Sequence, residues 1–199
     1  MTRRLGFGFV FLSIAGAVPV AIGATARPFI PGEIVLDGTG RINVGIRPVK
    51  FHFLCSANGG SGVTGVLSVS MEALDYPRFQ LLFDFIPFEG PDSHAGALSV
   101  LEATGPRGKA SDRFPASGSI IPARPTESFS LEITASRRDP PPLHKLAAVL
   151  RPLADGQSQL VWTQESAKRG GESLIARLDV SQARSEQLKT GLGACLDAR

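Results

Sequence analysis

Apolar and polar residues alternate along much of the chain, and this two-residue period is typical of β-strands with one buried face. The clearest cases are residues 67–73 and 129–135, where the positions between apolar residues carry serine, threonine or glutamate. Residues 78–86 are apolar at Leu82 and Ile86 as well as on the other face, so they predict a central strand that forms an antiparallel hairpin with 67–73. The same period predicts further strands over residues 33–37, 42–46, 49–54, 96–103, 118–121, 157–164 and 174–180.

The period changes near the end of the chain. Ser181 can cap a helix, and Leu188, Leu192 and Cys195 follow one another at the spacing i, i+4, i+7. We therefore predict a C-terminal helix over residues 181–196, with Cys195 on its apolar stripe.

Glycine and proline separate the predicted strands. Residues 38–40 (Gly-Thr-Gly) predict a turn, residues 104–117 a long polar loop and residues 137–142 a basic, proline-rich connector, while residues 146–150 fit either a strand or a helical turn. About nine or ten strands and one terminal helix predict a mainly β fold. We expect a single-domain antiparallel β-sandwich or flattened barrel over residues 27–199, with one C-terminal α-helix.

Residues 1–26 have the features of a secretory signal peptide. Arg3 and Arg4 precede a long apolar stretch, and Ala24-Thr25-Ala26 supplies the small residues that signal peptidase requires. A membrane anchor is the alternative, but Pro19 and the many glycines and alanines favour cleavage near Ala26. The sequence thus predicts a periplasmic or secreted protein with no stable membrane span after cleavage.

Loss of this leader changes the charge of the chain. It leaves 173 of 199 residues, enough for one domain with a core. It removes two arginines and no acids, so lysine plus arginine falls from 21 to 19 against 18 acids, and the formal charge falls from +3 to +1. A nearly neutral chain has no electrostatic footprint for nucleic acid or anionic lipid, and we expect no nucleic-acid partner.

The chain has two cysteines, Cys55 and Cys195. In an exported protein such a pair is usually bonded, so we predict one disulfide that fastens the terminal helix to the strand over residues 49–54. In that strand Cys55 shares the face of Val49, Phe51 and Phe53. The alternative is two independent buried thiols. Two cysteines alone do not provide a metal site, and we expect no cofactor.

The three histidines give no catalytic pattern. His52 lies three residues from Cys55 on a strand, so the two side chains face opposite ways and do not share a metal. His94 follows Asp92 and Ser93, but a hydrolytic triad needs groups that converge from separate segments. His144 follows three prolines in a connector. Surface or capping roles explain all three histidines.

Other motifs are incomplete. Ser61 lies in a glycine-rich stretch that fails the nucleophile-elbow pattern at Val63, and residues 105–109 lack a phosphate loop's first glycine because Ala103 occupies its place. The acid pairs Asp84 with Glu89 and Glu72 with Asp75 could flank a glycosidic bond, but such acids ordinarily form a solvated face.

Loops are the expected place for partner contacts. The loops over residues 89–95, 104–117 and 137–143 carry the polar candidates Asp92, His94, Arg107, Lys109, Arg137 and Arg138. Phenylalanines over residues 79–88 could line a pocket or a partner surface, or simply belong to the core.

These observations favour a non-enzymatic binding or interaction module whose partner is an unknown protein or envelope component. One alternative is a hydrolase of envelope polymers that uses a histidine such as His94 or a carboxylate. Another is a structural envelope component recognised through a sheet edge.

Overall fold

A computed structural model describes residues 32–43, 45–56, 65–90, 96–121 and 128–197. In it nine antiparallel strands form one curled, half-barrel sheet, with one helix at the C-terminal end, so the expectation of a mainly β chain that ends in a helix is confirmed. The strands are β1 (Ile34–Ile42), β2 (Gly45–Ser56), β3 (Val66–Ala73), β4 (Ser99–Gly105), β5 (Gly108–Phe114), β6 (Ser117–Ile120), β7 (Phe129–Ser136), β8 (Ser158–Gln164) and β9 (Leu174–Val180).

The order of strands in the sheet is β5-β4-β8-β9-β1-β2-β3-β7-β6. Its two edges, β5 and β6, are consecutive in the chain and are joined by Pro115 and Ala116. The helix α2 (Pro140–Leu150) packs against β4, β5 and β7. It therefore covers the side on which the half-barrel is open.

The concave face of the sheet holds the core. Trp162, Phe51, Phe53 and Met71 are fully buried there. The terminal helix α3 (Gln182–Leu196) packs on β1, β2 and β3, and buries the predicted stripe of Leu188, Leu192 and Cys195. Ser181 caps this helix, since its Oγ accepts a hydrogen bond from the Arg184 amide at 3.4 Å.

The predicted disulfide is present. Cys55 of β2 and Cys195 of α3 are bonded, with 5.9 Å between their Cα atoms and 140 positions between them in the sequence. The bond fastens the last helix to the second strand, and so most of the described chain lies within the loop that it closes.

The prediction of a strand over residues 78–86 is wrong. Tyr76–Phe79 form a short helix, α1, and Ile86–Phe88 form a 3-10 turn, with Pro77 and Pro87 in their first turns. Proline has no amide hydrogen to donate to a sheet and is well suited to the start of a helix, so both prolines favour turns here. The expected hairpin with β3 is absent as well, because β3 pairs with β2 and β7.

One further prediction needs correction, and one open alternative is resolved. Residues 104–117 contain a hairpin turn and the edge strand β5, whose residues Lys109, Ser111 and Arg113 are exposed, so it lacks the apolar alternation of an inner strand. Residues 146–150 belong to α2, which begins with three prolines, so the described chain has a second long helix besides the terminal one.

The predicted turn over residues 38–40 is also wrong, since these residues lie inside β1. Its glycines serve close packing: a Cβ on Gly38 would lie 2.7 Å from the ring of Phe51, and one on Gly40 would lie 2.7 Å from Val49. The chain turns instead after Ile42, where Asn43 has a positive φ of 49°.

Candidate functional site

Three aliphatic side chains project into solvent between β3 and β4. Leu81, Leu82 and Ile86 are 72%, 50% and 75% exposed, and we call them the apolar turn. All three line one cavity, and a contiguous exposed apolar patch is the kind of surface that marks a site of interaction.

A buried aromatic cluster holds the apolar turn in place. Phe79, Phe83, Phe85 and Phe88 are each at most 2% exposed. The ring centroids of Phe83 and Phe85 are 4.8 Å apart, and those of Phe85 and Phe129, in β7, are 4.7 Å apart. Because these four phenylalanines anchor the segment in the core, the aliphatic residues between them are held outside it.

Two cavities border the apolar turn, and Leu81 and Leu82 line both of them. One measures about 290 Å³ and lies towards Tyr76, Phe83, Ile86 and the loop after β8; the other measures about 220 Å³ and lies towards the β1–β2 hairpin. Leu81 and Leu82 therefore form a ridge between two shallow spaces.

Charged groups surround this ridge. Arg47 Nε lies 3.1 Å from Asp75 Oδ2, and Lys168 Nζ lies 2.9 Å from Asp84 Oδ2. Arg78, which lines the smaller cavity, is exposed and makes no ion pair with any residue of the described ranges. The β1–β2 side of the ridge thus carries more positive than negative charge.

Tyr76 lies at the base of the ridge. Its ring stacks on Phe129 with a centroid distance of 5.5 Å and lines the larger cavity. Burial raises the pKa of Tyr76 above its usual value, and the negative charges of Glu89 and Asp84 raise it further. The phenol is therefore neutral over the whole physiological range of pH.

A second cluster, which sequence reasoning missed, surrounds His52. Its Nδ1 lies 3.1 Å from Glu33 Oε1 and its Nε2 lies 3.0 Å from Glu72 Oε2. The side chains of His52, Glu33 and Glu72 are only 6%, 7% and 1% exposed. Both ring nitrogens are thus engaged away from solvent, and the cluster ties the start of β1 to β2 and β3.

The prediction that His52 is a surface or capping residue is wrong, because its side chain is buried. The face of the strand on which the sequence places it is correct. His52 does lie on the face opposite Phe51 and Phe53, but β1 and β3 flank it on both sides. On β3 next to it, Ser70 and Glu72 are as deeply buried as core residues, which their polar character in the sequence does not indicate.

The structure does not bring the polar loop candidates together. Arg107 pairs with Asp155, and Lys109 Nζ lies 2.7 Å from Glu102 Oε2, both at the β4–β5 hairpin. Arg137 and Arg138 are exposed in the connection from β7 to α2, where Arg137 donates to the carbonyl of Ala194 at 3.4 Å. Asp92 and His94 lie outside the described residues, as does Ser61. A binding role for these loops stays a prediction.

The acid pairs do not present free carboxylates to a common substrate position. Asp84 and Asp75 are each paired with a cation, and Glu72 is buried against His52. His144 is exposed on α2. Among the described residues no three histidine, cysteine, aspartate or glutamate side chains are arranged to hold a metal ion.

No protein-family model, curated protein or solved structure matches this chain. Within the described ranges, none of the helices has the length and apolar character needed to cross a membrane. The disulfide and the β-rich fold are compatible with an exported protein.

Proposed function

We propose that this protein is an exported, non-enzymatic interaction module that contacts its partner through the apolar turn. The exposure of Leu81, Leu82 and Ile86 beside four buried phenylalanines carries the proposal. Aliphatic side chains lower the free energy of a complex when they leave water, and each contributes about 1.5–3 kcal/mol when fully buried.

The aromatic base supports the same function. An interface that is already ordered before binding loses less conformational entropy when the partner arrives. Rings at centroid distances of 4.7–5.8 Å fix the backbone between α1 and the 3-10 turn from below. The three aliphatic side chains are therefore presented on a prepared surface.

Site-specific photo-cross-linking tests the proposal. A photoreactive amino acid replaces Leu82 in cells that express the full chain, and irradiation is expected to give an adduct with an envelope component. The same group at Val35, which is 42% exposed on the opposite face of the sheet, is the matched control and should give no such adduct. The adduct at position 82 should also disappear when Ile86→Ser is added.

Histidine variants compare the interaction module with a histidine-dependent hydrolase. If the protein is an interaction module, the adduct persists when His94→Ala and His144→Ala are introduced together. Equal adducts at positions 35 and 82, or none at either, would contradict a role for the apolar turn.

A further inference from the structure

A further cavity, of about 380 Å³, lies where β5 and β7 separate from one another. It is lined by Phe114 and Pro115 at the end of β5, by residues 133–136 of β7, and by Asp139 and Pro142 at the start of α2. Successive side chains of a strand point to opposite faces, so a cavity lined by four consecutive residues lies against the edge of the strand. Its volume is within the usual range of ligand sites, about 300–1,000 Å³.

The edge of β7 has no neighbouring strand at this cavity. The strand β6 pairs with β7 only as far as Ser117 and Glu132. If the pairing continued, Pro115 would lie opposite Thr134, but proline has no amide hydrogen to donate to the carbonyl of Thr134. No backbone hydrogen bond joins Thr134 to another described residue on this side.

The register of the sheet shows which way the backbone groups of β7 point. On the β3 side, the amide of Arg137 donates to the carbonyl of Gly65 at 3.0 Å, and on the β6 side, the amide of Ile121 donates to the carbonyl of Ser128 at 3.5 Å. Hydrogen-bonded pairs alternate along an antiparallel ladder. The odd-numbered residues of β7 therefore bond towards β3, and the even-numbered ones point towards β6.

Thr134 consequently directs both its N–H and its C=O into the cavity beyond the end of β6. Ser136 directs its N–H the same way, while its C=O accepts a hydrogen bond from the amide of Asp139 at 3.0 Å. Thr134 and Pro115 are exposed, so solvent reaches this edge. The cavity thus combines an apolar wall, formed by Phe114, Ile133 and Ala135, with a donor and an acceptor of the main chain.

The charged groups near the cavity do not select a charged ligand. Four acids (Asp112, Glu132, Asp139 and Glu165) and four bases (Arg113, Arg137, Arg138 and Lys145) lie on the lining, within two positions of it or in ion pairs with these residues, besides His144. The first three positions of α2 are prolines, which have no amide hydrogens with which to bind an anion. Recognition therefore depends on the free backbone groups and the apolar wall.

We propose that this cavity binds an extended peptide segment of another protein, which adds to the sheet as a short strand beside Thr134. An extended peptide presents the N–H and C=O of one residue on the same side, as the two free groups of Thr134 require. The peptide residue opposite Thr134 points outward with it. The residues before and after that one point inward, towards Ile133 and Ala135, so the peptide carries apolar side chains two positions apart.

This site is separate from the apolar turn. The aromatic cluster under the apolar turn packs on Phe129, the first residue of β7, whereas the free edge lies at the last residues of the same strand. The peptide site therefore goes beyond the proposed function, and either can be lost without the other.

Titration with a synthetic peptide, followed by amide NMR spectra of the purified, oxidised protein, tests the inference. The probe is a capped pentapeptide with a central threonine, a valine on each side of it and a serine at each end. We expect shifts of the Thr134 and Ser136 amides that saturate with peptide concentration. The same peptide with an N-methyl group on the central threonine cannot donate to the carbonyl of Thr134, so it should bind about tenfold more weakly.

Matched variants of the protein separate the main chain from the side chains. Thr134→Pro removes the outward N–H at an edge position, where proline is tolerated, and should weaken peptide binding about tenfold, as reported by the Ser136 amide. Thr134→Val keeps the main chain and should bind like the parent protein. Leu82→Ser, in the apolar turn, should also leave peptide binding unchanged. If Thr134→Pro does not fold, the N-methylated peptide tests the same hydrogen bonding on the unaltered protein.

Several results would overturn the peptide site. The absence of shifts at millimolar peptide would show that the edge does not accept a strand. Equal binding of the plain and N-methylated peptides would show that the cavity takes apolar groups without pairing of the main chain. A dimer in sedimentation velocity that Thr134→Pro dissociates would assign the edge to a second copy of this chain. None of these results bears on the photo-cross-link from position 82, which tests the apolar turn alone.

Discussion

At the scale of single residues, Tyr76 reports directly on the proposed site. It is the only tyrosine in the chain, it lines the larger cavity beside the apolar turn, and its ring stacks on Phe129. Its pKa is raised by burial first and then by Glu89 and Asp84. Any group that inserts next to this ring changes either the burial of the phenol or its interaction with Glu89 and Asp84, and therefore changes its pKa.

We predict that the absorbance of tyrosinate at 295 nm rises at a higher pH in the folded protein than in the denatured one, for which the midpoint is about 10. The folded state then holds the phenolic proton more tightly, so between the two pKa values it binds more protons than the unfolded state. The free energy of unfolding is therefore fully retained below the unfolded pKa and falls as pH rises through the folded pKa. A folded midpoint at or below the denatured one would contradict this.

The matched variants separate the causes. Asp84→Asn should lower the pKa of Tyr76 part of the way towards the denatured value, because it removes one of the two negative charges. Tyr76→Phe should abolish the absorbance change and flatten the alkaline fall in stability. Asp179→Asn, an exposed position on β9, serves as a charge control and should leave the titration unchanged.

His52 shows what a single position can and cannot reveal in a sequence. Alternation places it correctly on the face opposite Phe51, because side chains of a strand point to the two faces in turn. Its burial depends on the two neighbouring strands, and on Glu33 and Glu72, which are 19 and 20 positions away in the chain. Such a cluster becomes visible only when the register of β1, β2 and β3 is known.

At the scale of elements, the terminal helix α3 contains two glycines in different surroundings. A Cβ on Gly191 would lie 2.5 Å from Cδ1 of Ile34 in β1, whereas one on Gly193 would meet no atom within 4 Å. Gly191 thus permits the close approach of the helix to the sheet, and Gly193 serves no packing role.

We predict that Gly193→Ala raises the free energy of unfolding by up to about 1 kcal/mol, since alanine lowers the entropy cost of the helix. Gly191→Ala should gain less or lose stability, because Ile34 must move to make room for the new methyl group. Urea denaturation followed by far-UV circular dichroism measures both. If Gly191→Ala were the more stabilising of the two, the close packing of α3 on β1 would be wrong.

Regular elements were predictable wherever one face is buried. The strands β3, β7, β8 and β9 and the helix α3 follow the expected bounds to within a few residues, since burial on one side imposes a period. The edge strand β5 was not predicted, because it is mostly exposed and polar. The segment over residues 78–86 misled because Phe79, Phe83 and Phe85 point inward from turns at the same spacing that a strand would give.

The segment that the sequence pattern wrongly predicts as a strand, residues 78–86, also contains the candidate site. The alternation predicts Leu82 and Ile86 on the covered second face of a central strand, yet they are exposed. The prolines at 77 and 87 were the physical signal against a strand. The proposed interaction uses these exposed aliphatic residues.

At the scale of the whole molecule, the order of the strands in the sheet could not be predicted from the sequence. The strands β8 and β9 stand between β4 and β1, so the chain returns after more than a hundred residues to complete the sheet beside its first strand. Pairings at such distances in sequence are set by the shape of the entire core. The two cysteines were the exception, because each has only one possible partner.

The disulfide should therefore contribute strongly to the stability of the whole fold. It joins positions 140 residues apart, and closing a loop of that length restricts the unfolded chain by up to about 5 kcal/mol in the chain-entropy account. We predict that Cys55→Ser with Cys195→Ser, or reduction of the parent protein, lowers the free energy of unfolding by several kcal/mol. Guanidinium denaturation with and without reductant measures the difference.

The same experiment tests where the helix α3 belongs. Leu188, Leu192 and Leu196 remain to pack on the sheet when the bond is cut, so the reduced protein should lose the end of α3 before it loses the sheet. Hydrogen exchange should show this as faster exchange after Gly191 than in β3, which lies between β2 and β7. Equal denaturation midpoints for the reduced and oxidised proteins would show that the bond stabilises nothing.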